Sequence, residues 1–505
     1  MPNKQDSNLT GLSYAEELTP KVLPGSPVWY PLEPNSYSDL GGQIKTVARD
    51  PINPSRQRKR GTITDLDASG SFNIDLTLNN LTRLLQGFFF ADIREKATTV
   101  PMNAAAVPLT SATVTTNVFA AASGLGGFVV KGLVQAQGFT NAANNGIMRV
   151  TAKTATSLTV ATALVTEAAP PAAANIRTIG FEFDSGDCSI VMNGSLARLT
   201  SATITMSTLG LIPGEWIYLG GDAAGTTFNS VNKGYARIGV ISGLYIEFDK
   251  TSWTPIVDAG TAKTIRIFFG SVLQNELSSL IKRRTYQLER QLGRDDGALM
   301  MSELLTGAVP NELTINIPQA DKVTVDLSFV AMDNEVRTGP MGIKSGARPA
   351  LVSETALNTS SDVARIKMGL VDPLSSNVTP LFAFVTETTL MIKNGITTNK
   401  AVGVLGAFDA SAGSFEITGK LSAYFGDTTG PAAVRANSDA TIDIVLKRPN
   451  AAMLFDIPLL GLGDGRLGVE KDKPITLPLD MDAGQSKYDT SLLFMSFPYL
   501  PTVAG

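Results

Sequence analysis

Apolar and polar residues alternate most clearly between positions 71 and 79. The apolar positions of this segment are Phe72, Ile74, Leu76 and Leu78. One-sided alternation predicts an antiparallel strand with one buried and one hydrated face. The apolar spacing then changes to three and four residues over 81–89, which predicts a short amphipathic helix. Asn79 and Asn80 are expected to cap its N-terminus.

The same alternation returns further along the chain. Residues 312–317 and 322–329 alternate on either side of the turn-forming segment 318–321, which predicts a β-hairpin with one polar face. Residues 414–425 and 441–448 predict a third set of polar-out strands. With 46 glycines and 27 prolines spread along the chain, the pattern indicates a mainly β protein with frequent turns.

Residues 272–307 fit two patterns. Leu273, Leu277 and Leu280 suit a helix, whereas the stretch 286–292 also suits a strand. Residues 297–307, GALMMSELLTG, predict a short helix that ends at a glycine.

An internal repeat lies between these elements. Residues 111–115 recur as 201–205, and residues 144–150 (NNGIMRV) recur as 232–238 (NKGYARI), offsets of 201 − 111 = 90 and 232 − 144 = 88. The Asn-x-Gly element at matched places predicts a hairpin turn in which glycine adopts a positive φ. The repeat predicts two related β modules that project from a larger β domain. The larger domain would comprise 1–104, 179–199 and 269–505, and the inserted modules would be 105–178 and 200–268.

Composition excludes much side-chain chemistry. The 505 residues include no histidine and one cysteine, Cys188, and 42 Lys and Arg against 46 Asp and Glu give a net charge of −4. A chain without histidine has no Ser-His-Asp or Cys-His nucleophile system and no two-histidine zinc site. We interpret Cys188 as a small buried hydrophobic residue. The N-terminal residues do not predict a secretory signal, and no run of ~20 apolar residues predicts a membrane span.

Several motifs favour structural interpretations. Residues 463–468 (GDGRLG) match a dinucleotide-binding glycine pattern, but prolines 474 and 478 argue against a following helix, so we interpret a glycine-rich turn. The acidic pairs 65/67, 295/296 and 480/482 do not assemble into a glycosidase or calcium site. We expect no cofactor and no metal. A basic cluster comprises Arg56, Arg58, Lys59 and Arg60. This cluster and the basic residues 282–284 would each either contact phosphate groups or lie in a solvated loop or a subunit contact.

A strand and helix at 71–90 are followed by TYQLER at 285–290 and by ELTINIPQADKVTVDLSFVA at 312–331. Together with the stretch 389–425, this order resembles the tail tube protein family of long-tailed bacteriophages. The inserted modules, with GFTNAANNG at 138–146 and LIPGEWI at 211–217, look like those of large siphophage tail tube subunits. The resemblance covers about residues 20 to 500 and lies in the order of structural patterns.

The resemblance implies a β-sandwich with a flanking helix, and the larger β domain would be the tail tube domain. Subunits are expected to form hexameric rings whose inner hairpins join into one barrel, and the rings to stack into a hollow tube. Expected partners are further copies of the chain, the tape measure, tail terminator and tail tip proteins, and double-stranded DNA passing through the lumen without specific binding. The expected location is the virion tail, after assembly in the bacterial host cytoplasm. No enzymatic activity is expected.

A bore too wide to fill with side chains holds water and needs polar strand faces. The predicted lumen-facing residues are Asp75, Glu312, Asp326, Glu416 and Asp443. Against Lys322, Lys420 and Lys447, these five acidic residues leave two negative charges for each chain (5 − 3 = 2). A mildly acidic bore would repel phosphates and let DNA slide.

Two other classes of protein fit repeated β modules. A receptor- or carbohydrate-binding virion protein, in the tail tip, a fibre or a head decoration, would display an aromatic groove, whereas Trp29, Trp216 and Trp253 are well spread in the sequence. A polysaccharide depolymerase that uses carboxylates would need an acidic cleft, which the sequence does not show.

Overall fold

The computed structural model describes residues 10–52, 54, 57–94, 107–108, 111–113, 117–293 and 301–501. These residues form 32 strands and two α-helices, so the predicted mainly β fold class is confirmed. No helix among them is long and apolar enough to cross a membrane.

A strand-rich segment with one helix begins the chain. Its elements are β1 (Thr10–Glu16), β2 (Tyr30–Leu32), β3 (Pro34–Arg49), β4 (Lys59–Asp75) and α1 (Thr82–Phe89). The predicted strand and helix are confirmed, and the apolar residues of α1 are buried. The predicted capping is wrong, because Leu81 holds the N-cap position without a side-chain hydrogen bond. Asn80 instead donates to the Asp75 carbonyl (2.7 Å) and accepts from the Thr77 amide (3.1 Å), which fixes the turn before the helix.

The next thirteen strands form one continuous sheet. They are β5 (Val107–Pro108), β6 (Ser111–Thr113), β7 (Val118–Ala120), β8 (Gly132–Gln137), β9 (Gly146–Lys153), β10 (Ser157–Val160), β11 (Asn175–Glu182), β12 (Cys188–Asn193), β13 (Leu196–Ser201), β14 (Trp216–Leu219), β15 (Gly234–Ile241), β16 (Tyr245–Thr251) and β17 (Arg266–Phe268). We call residues 107–268 the insert. It contains two hydrophobic cores, one within 119–176 and one within 181–267 that Phe269 joins from just beyond the insert. Because β13 pairs with both β12 and β16, the pairing contradicts the predicted return of residues 179–199 to the larger domain.

The repeated Asn-x-Gly elements lead into β9 and β15. Gly146 and Gly234 have φ angles of 122° and 133°, which confirms the predicted positive φ. Each element ends a long connection rather than a tight turn, because β9 follows β8 after residues 138–145 and β15 follows β14 after residues 220–233.

A buried asparagine anchors each of these connections in the same way. Asn144 donates to the Val165 carbonyl and accepts from the Val165 amide, both at 2.8 Å. Asn232 donates to the Ile256 carbonyl (2.6 Å) and accepts from the Ile256 amide (3.1 Å). The internal sequence repeat is therefore a structural repeat.

The remaining strands follow the insert. They are β18 (Ser271–Gln274), β19 (Tyr286–Leu292), β20 (Met301–Ile317), β21 (Thr324–Ala331), β22 (Asp333–Thr338), β23 (Val363–Leu370), β24 (Thr379–Pro380), β25 (Val385–Lys393), β26 (Thr397–Asn399), β27 (Asp409–Ser411), β28 (Glu416–Tyr424), β29 (Ala440–Arg448), β30 (Ala451–Asp464), β31 (Thr476–Ala483) and β32 (Leu493–Phe497), with helix α2 (Thr429–Arg435) between β28 and β29.

The hairpin predicted at 312–330 is confirmed as β20 and β21. The helix predicted at 297–307 is wrong, because residues 301–307 belong to β20, whereas 297–300 lie outside the described residues. This half of β20 is flanked by β19 and β22 and buries Leu304 and Leu305 on opposite faces. Burial on both faces removes the alternation that identifies a strand in sequence.

The chain outside the insert contains the same arrangement of strands twice. In the first unit, β1–β4 and α1 precede the insert and β19–β22 follow it. In the second unit, β23, β24, β25, β28, α2 and β29–β32 follow one another. Each unit has an inner sheet, β3-β4-β21-β20 or β25-β28-β31-β30. Each also has an outer sheet, β2-β1-β19-β20-β22 or β24-β23-β29-β30-β32. The sequence predicted one larger domain where the strand pairing shows two such units.

The long strands β20 and β30 pass from outer to inner sheet in their units. In β20 the crossing lies at Gly307, whose φ is 61° and where a Cβ would lie 2.8 Å from the Met332 sulfur. The inner sheets join because β20 pairs with β25, giving one eight-stranded sheet in the order β3-β4-β21-β20-β25-β28-β31-β30. Its apolar face packs into one core that runs through both units.

The insert covers the outer sheet of the second unit. Trp216 and Tyr235 of the insert share a core with Val445, Leu454 and Met495. Strand β29 is therefore buried on both faces from residue 440 to 446, and the predicted polar-out character of residues 441–448 is wrong.

Candidate functional site: the polar face of the inner sheet

The inner sheet presents a continuous polar face opposite its buried apolar face. Register pairing aligns one row of this face across all eight strands. The row comprises Ser36, Asn73, Asp326, Thr314, Met391, Thr418, Asp482 and Gly461. We call this surface the polar face.

Four of the five predicted lumen-facing residues lie on the polar face. Asp75 contacts the Lys322 ammonium at 2.7 Å, and Glu312 lies 3.5 Å from the Lys393 ammonium. The exposed Asp326 carboxylate accepts hydrogen bonds from two amide side chains. Glu416 is exposed and lies in register with Lys393. The structure therefore brings these four residues onto one surface.

Asp443 does not lie on the polar face, which corrects its placement on a hydrated strand face. It lies on β29 in the outer sheet, its side chain is fully buried, and its carboxylate contacts the Lys250 ammonium of the insert at 2.7 Å. Arg365 forms a second ion pair with it. Burial by itself would raise the pKa of Asp443, but the charges of Lys250 and Arg365 outweigh it and hold that pKa below its ordinary value.

The carboxylates of Asp480 and Asp482 complete the polar face. Asp480 pairs in register with Lys420, and Asp482 with Thr418. Both are exposed, whereas the intervening Met481 is buried. The alternation of residues 477–482 could have identified this strand, but Pro478 and the adjacent glycine-rich segment concealed it.

The polar face is acidic overall. Its carboxylates are those of Asp75, Glu312, Asp326, Glu387, Glu416, Asp480 and Asp482, and its ammonium groups are those of Lys322, Lys393 and Lys420. Seven minus three leaves four negative charges for each chain. No group of three or more potential metal-ligating side chains occurs in the described part of the chain. A broad hydrated surface of this sign repels phosphate groups.

The other candidate residues lie elsewhere. Arg58, Lys59 and Arg60 are exposed at the end of the β3–β4 hairpin, whereas Arg56 and the pair 295/296 lie outside the described residues. The pair 65/67 binds Lys400. Strand β30 ends at Asp464, and no helix follows it before β31, as the turn interpretation of 463–468 predicted.

The single cysteine and the three tryptophans are buried. Cys188 is buried, as predicted, and burial raises the pKa of its thiol. Trp29 and Trp216 are fully buried and Trp253 is 8% exposed. These indole rings are therefore not arranged as the exposed groove that a carbohydrate-binding protein would display.

The amino-acid sequence matches the model of a known protein family. A family model described as phage tail tube protein matches residues 7–209 and again residues 209–483. The two matches together span most of the chain. No curated protein matches it.

Proposed function

Because the chain belongs to the phage tail tube protein family, we propose that it polymerises into stacked rings around a hollow bore through which the genome is ejected into the host. It is a structural component of a phage tail. The polar face of the inner sheet would line the bore, and the apolar face would remain in the subunit core.

The continuous eight-stranded sheet is the observation that carries this proposal. A sheet with one hydrated and one buried face suits a wide water-filled channel. Four net negative charges for each chain would keep DNA phosphates away from the wall, so DNA would pass without binding. The insert covers the outer sheet of the second unit, on the side of the sandwich away from the polar face. We therefore propose that it lies on the outside of the tube.

The resemblance in sequence implies hexameric rings, in which six tube folds surround the bore, and a long flexible tail of the siphophage type. The partners we propose are further copies of this chain, the tape measure, tail terminator and tail tip proteins, and double-stranded DNA in transit. Assembly would take place in the bacterial host cytoplasm. Of the predicted lumen-facing residues, Asp75, Glu312, Asp326 and Glu416 remain in the proposal, joined by Asp480 and Asp482.

Charge reversal on the polar face tests the proposal. The variant Asp326→Lys/Asp480→Lys/Asp482→Lys should form tubes of normal bore but slow genome ejection, because lysines bind DNA phosphates. Higher salt should partly restore the rate. The control variant Ala161→Lys/Thr162→Lys/Ala163→Lys adds lysines to an exposed loop of the insert and should eject normally. Unchanged ejection from normal triple-aspartate tubes would show that another surface lines the bore.

A further inference from the structure

The junction between the two units pairs two strands that occupy different positions in their units. The last strand of the first inner sheet, β20, pairs with the first strand of the second, β25, over the six register pairs from Glu312–Lys393 to Ile317–Thr388. Because both units have the same strand order, the free last strand of the second unit matches β20 and the free first strand of the first unit matches β25. The chain thus carries both halves of a second joint of the same kind.

Equivalent positions follow from the strand–helix spacing. Ile74 precedes the start of α1 by eight residues (82 − 74), and Leu421 precedes the start of α2 by eight (429 − 421). Asn73 of the first unit is therefore equivalent to Lys420 of the second.

Following the register from these two positions gives the rest of the equivalence. Asn73 pairs with Ser36 on β3, and Lys420 pairs with Thr389 on β25. On the other side, Asn73 leads through Asp326 to Thr314, and Lys420 leads through Asp480 to Gly463. Ser36 is therefore equivalent to Thr389, and Thr314 is equivalent to Gly463.

The strand register of the joint between two chains follows from that of the β20–β25 joint within one chain. Thr314 pairs with Met391, two residues beyond Thr389. The equivalent of Thr314 is Gly463, and two residues beyond Ser36 is Ser38. In a joint of the same kind, Gly463 of one chain therefore lies opposite Ser38 of the next.

The two strand edges required for this joint are free. Among the described residues, the only strand in register with β3 is β4, and the only strand in register with residues 461–464 of β30 is β31. Free edges of this kind present unpaired backbone groups to another strand. They lie at opposite ends of the eight-stranded sheet, so a second copy of the chain, rather than the same chain, would pair with each.

The long connection in the inner hairpin of the second unit shows a further contact of the joint. Residues 394–415 link β25 to β28 and reach back onto the first unit. The Lys400 ammonium lies 2.5 Å from Asp65, and the Ala407 amide donates to the Met332 carbonyl at 3.0 Å. Ile396 and Ala407 also share a small core with Val309 and Met332.

The corresponding connection of the first unit leaves apolar side chains exposed. It is the outer part of the β3–β4 hairpin, residues 43–64, which exposes several large apolar side chains. These are Ile44 (53% exposed), Val47 (58%), Ile52 (107%) and Ile63 (55%). Its position in the unit matches that of residues 394–415, so its seat would be the second unit of the preceding chain.

We propose that three copies of this chain, rather than six, close each ring, with β30 of one copy paired to β3 of the next and Gly463 opposite Ser38. The inference rests on the proposed function, because it takes the ring of six tube folds as given and assigns two to each chain. Eight inner strands from each of three chains make a barrel of 24 strands. Residues 43–64 dock onto the second unit of the neighbouring copy, and each ring carries three inserts.

Disulfide crosslinking tests the joint and the number of chains together. Facing residues of antiparallel strands have Cα atoms about 4.5–5.5 Å apart, which a disulfide can span. The variant Ser38→Cys/Gly463→Cys, oxidised after assembly, should give a ladder in non-reducing gels that ends at a covalent trimer, three times the 53.3 kDa of the chain. The buried Cys188 supplies no accessible thiol. The matched control Thr314→Cys/Met391→Cys should crosslink within one chain and leave it monomeric in the gel.

A ladder that ends at a hexamer would overturn the chain number, and normal tubes that do not crosslink would overturn the register. Electron cryomicroscopy of wild-type rings supplies a readout independent of variant folding. Three outer projections around a 24-stranded barrel support the proposal, whereas six projections overturn it and leave the tube function intact. Absence of rings or tubes from the wild-type protein under all assembly conditions would refute the proposed function, and with it this inference.

Discussion

Two buried aspartates face each other on adjacent strands and should respond oppositely to the same substitution. Asp443 and Asp456 pair in register between β29 and β30, and both side chains are fully buried. Asp443 contacts Lys250 and Arg365. Asp456 lies 3.2 Å from the Arg237 guanidinium, which is also bound to Asp249 at 2.9 Å. Burial raises the pKa of Asp456 despite the attraction of Arg237, whereas the pKa of Asp443 is lowered.

Asp443→Asn should destabilise the protein by about 3–5 kcal/mol at neutral pH, because it leaves the fully buried Lys250 without its carboxylate partner. Asp456→Asn should change stability by less than about 1 kcal/mol, because Arg237 keeps Asp249 and the variant removes a poorly stabilised buried charge. The lowered pKa of Asp443 means that its contribution is present above the unfolded carboxyl pKa and is lost as pH falls through the folded value. The raised pKa of Asp456 has the opposite sign, since its contribution is present in acid and lost as pH rises through the folded value. The gap between the two variants should therefore be largest at neutral pH and narrow towards acid.

Urea unfolding followed by tryptophan fluorescence measures both variants. The buried Trp216 ring lies 5.9 Å from the Lys250 ammonium and 6.0 Å from the Arg237 guanidinium, so it reports on this interface. Lys473→Met, at an ion pair whose partners are 69% and 66% exposed, is the surface control and should leave the unfolding midpoint nearly unchanged. Equal losses for the two aspartate variants, or a larger loss for Asp456→Asn, would refute the reasoning.

Three further predictions concern the insert, the crossing strand and the bore. Asn144→Ala and Asn232→Ala should each lower insert stability by about 2–4 kcal/mol, since each removes three side-chain hydrogen bonds at about 1 kcal/mol apiece. The exposed Asn377→Ala should not lower it, and a large difference between the first two variants in thermal unfolding would contradict their structural equivalence. Gly307→Ala should lower the free energy of unfolding by about 1–3 kcal/mol, because Gly307 has a positive φ and its new Cβ would lie close to the Met332 sulfur. Gly225→Ala is its control in the same urea assay, because a Cβ there meets nothing within 4 Å. In assembled tubes, a maleimide too bulky to enter the bore should label Ala161→Cys but not Asp482→Cys, whereas free subunits should label at both; equal labelling in tubes would place the polar face on an accessible surface.

Sequence patterns predicted the elements that have one face in water. Strand β4 and the β20–β21 hairpin alternate because one side packs into the core and the other is hydrated. The same reasoning failed for β29 and for the first half of β20, where another layer of the protein covers the second face. Asp443 was misplaced for this reason, since the Lys250 that neutralises it lies 193 positions earlier (443 − 250).

The duplication of the tube unit was missed in the reading of individual residues. Its equivalent positions can hold different side chains, such as Thr314 and Gly463, and strand order identifies them. The repeat within the insert was detectable because a buried asparagine must keep both hydrogen bonds to a loop, and this requirement preserves residue type. Pairing between distant strands also drew residues 188–201 into the insert, which local sequence does not encode.

The insert is joined covalently to one unit and packed against the other. Its entry and exit lie side by side, because Arg94 and Val272 exchange backbone hydrogen bonds of 2.8 and 2.9 Å, so its length imposes little strain on the first unit; doubling a loop costs only about 0.6 kcal/mol. Its apolar surface and the ammonium of Lys250 are held by the outer sheet of the second unit. The insert therefore fixes the angle between the two units of one chain. A tail built from such chains would bend at the joints between molecules, while each molecule moves as a rigid segment.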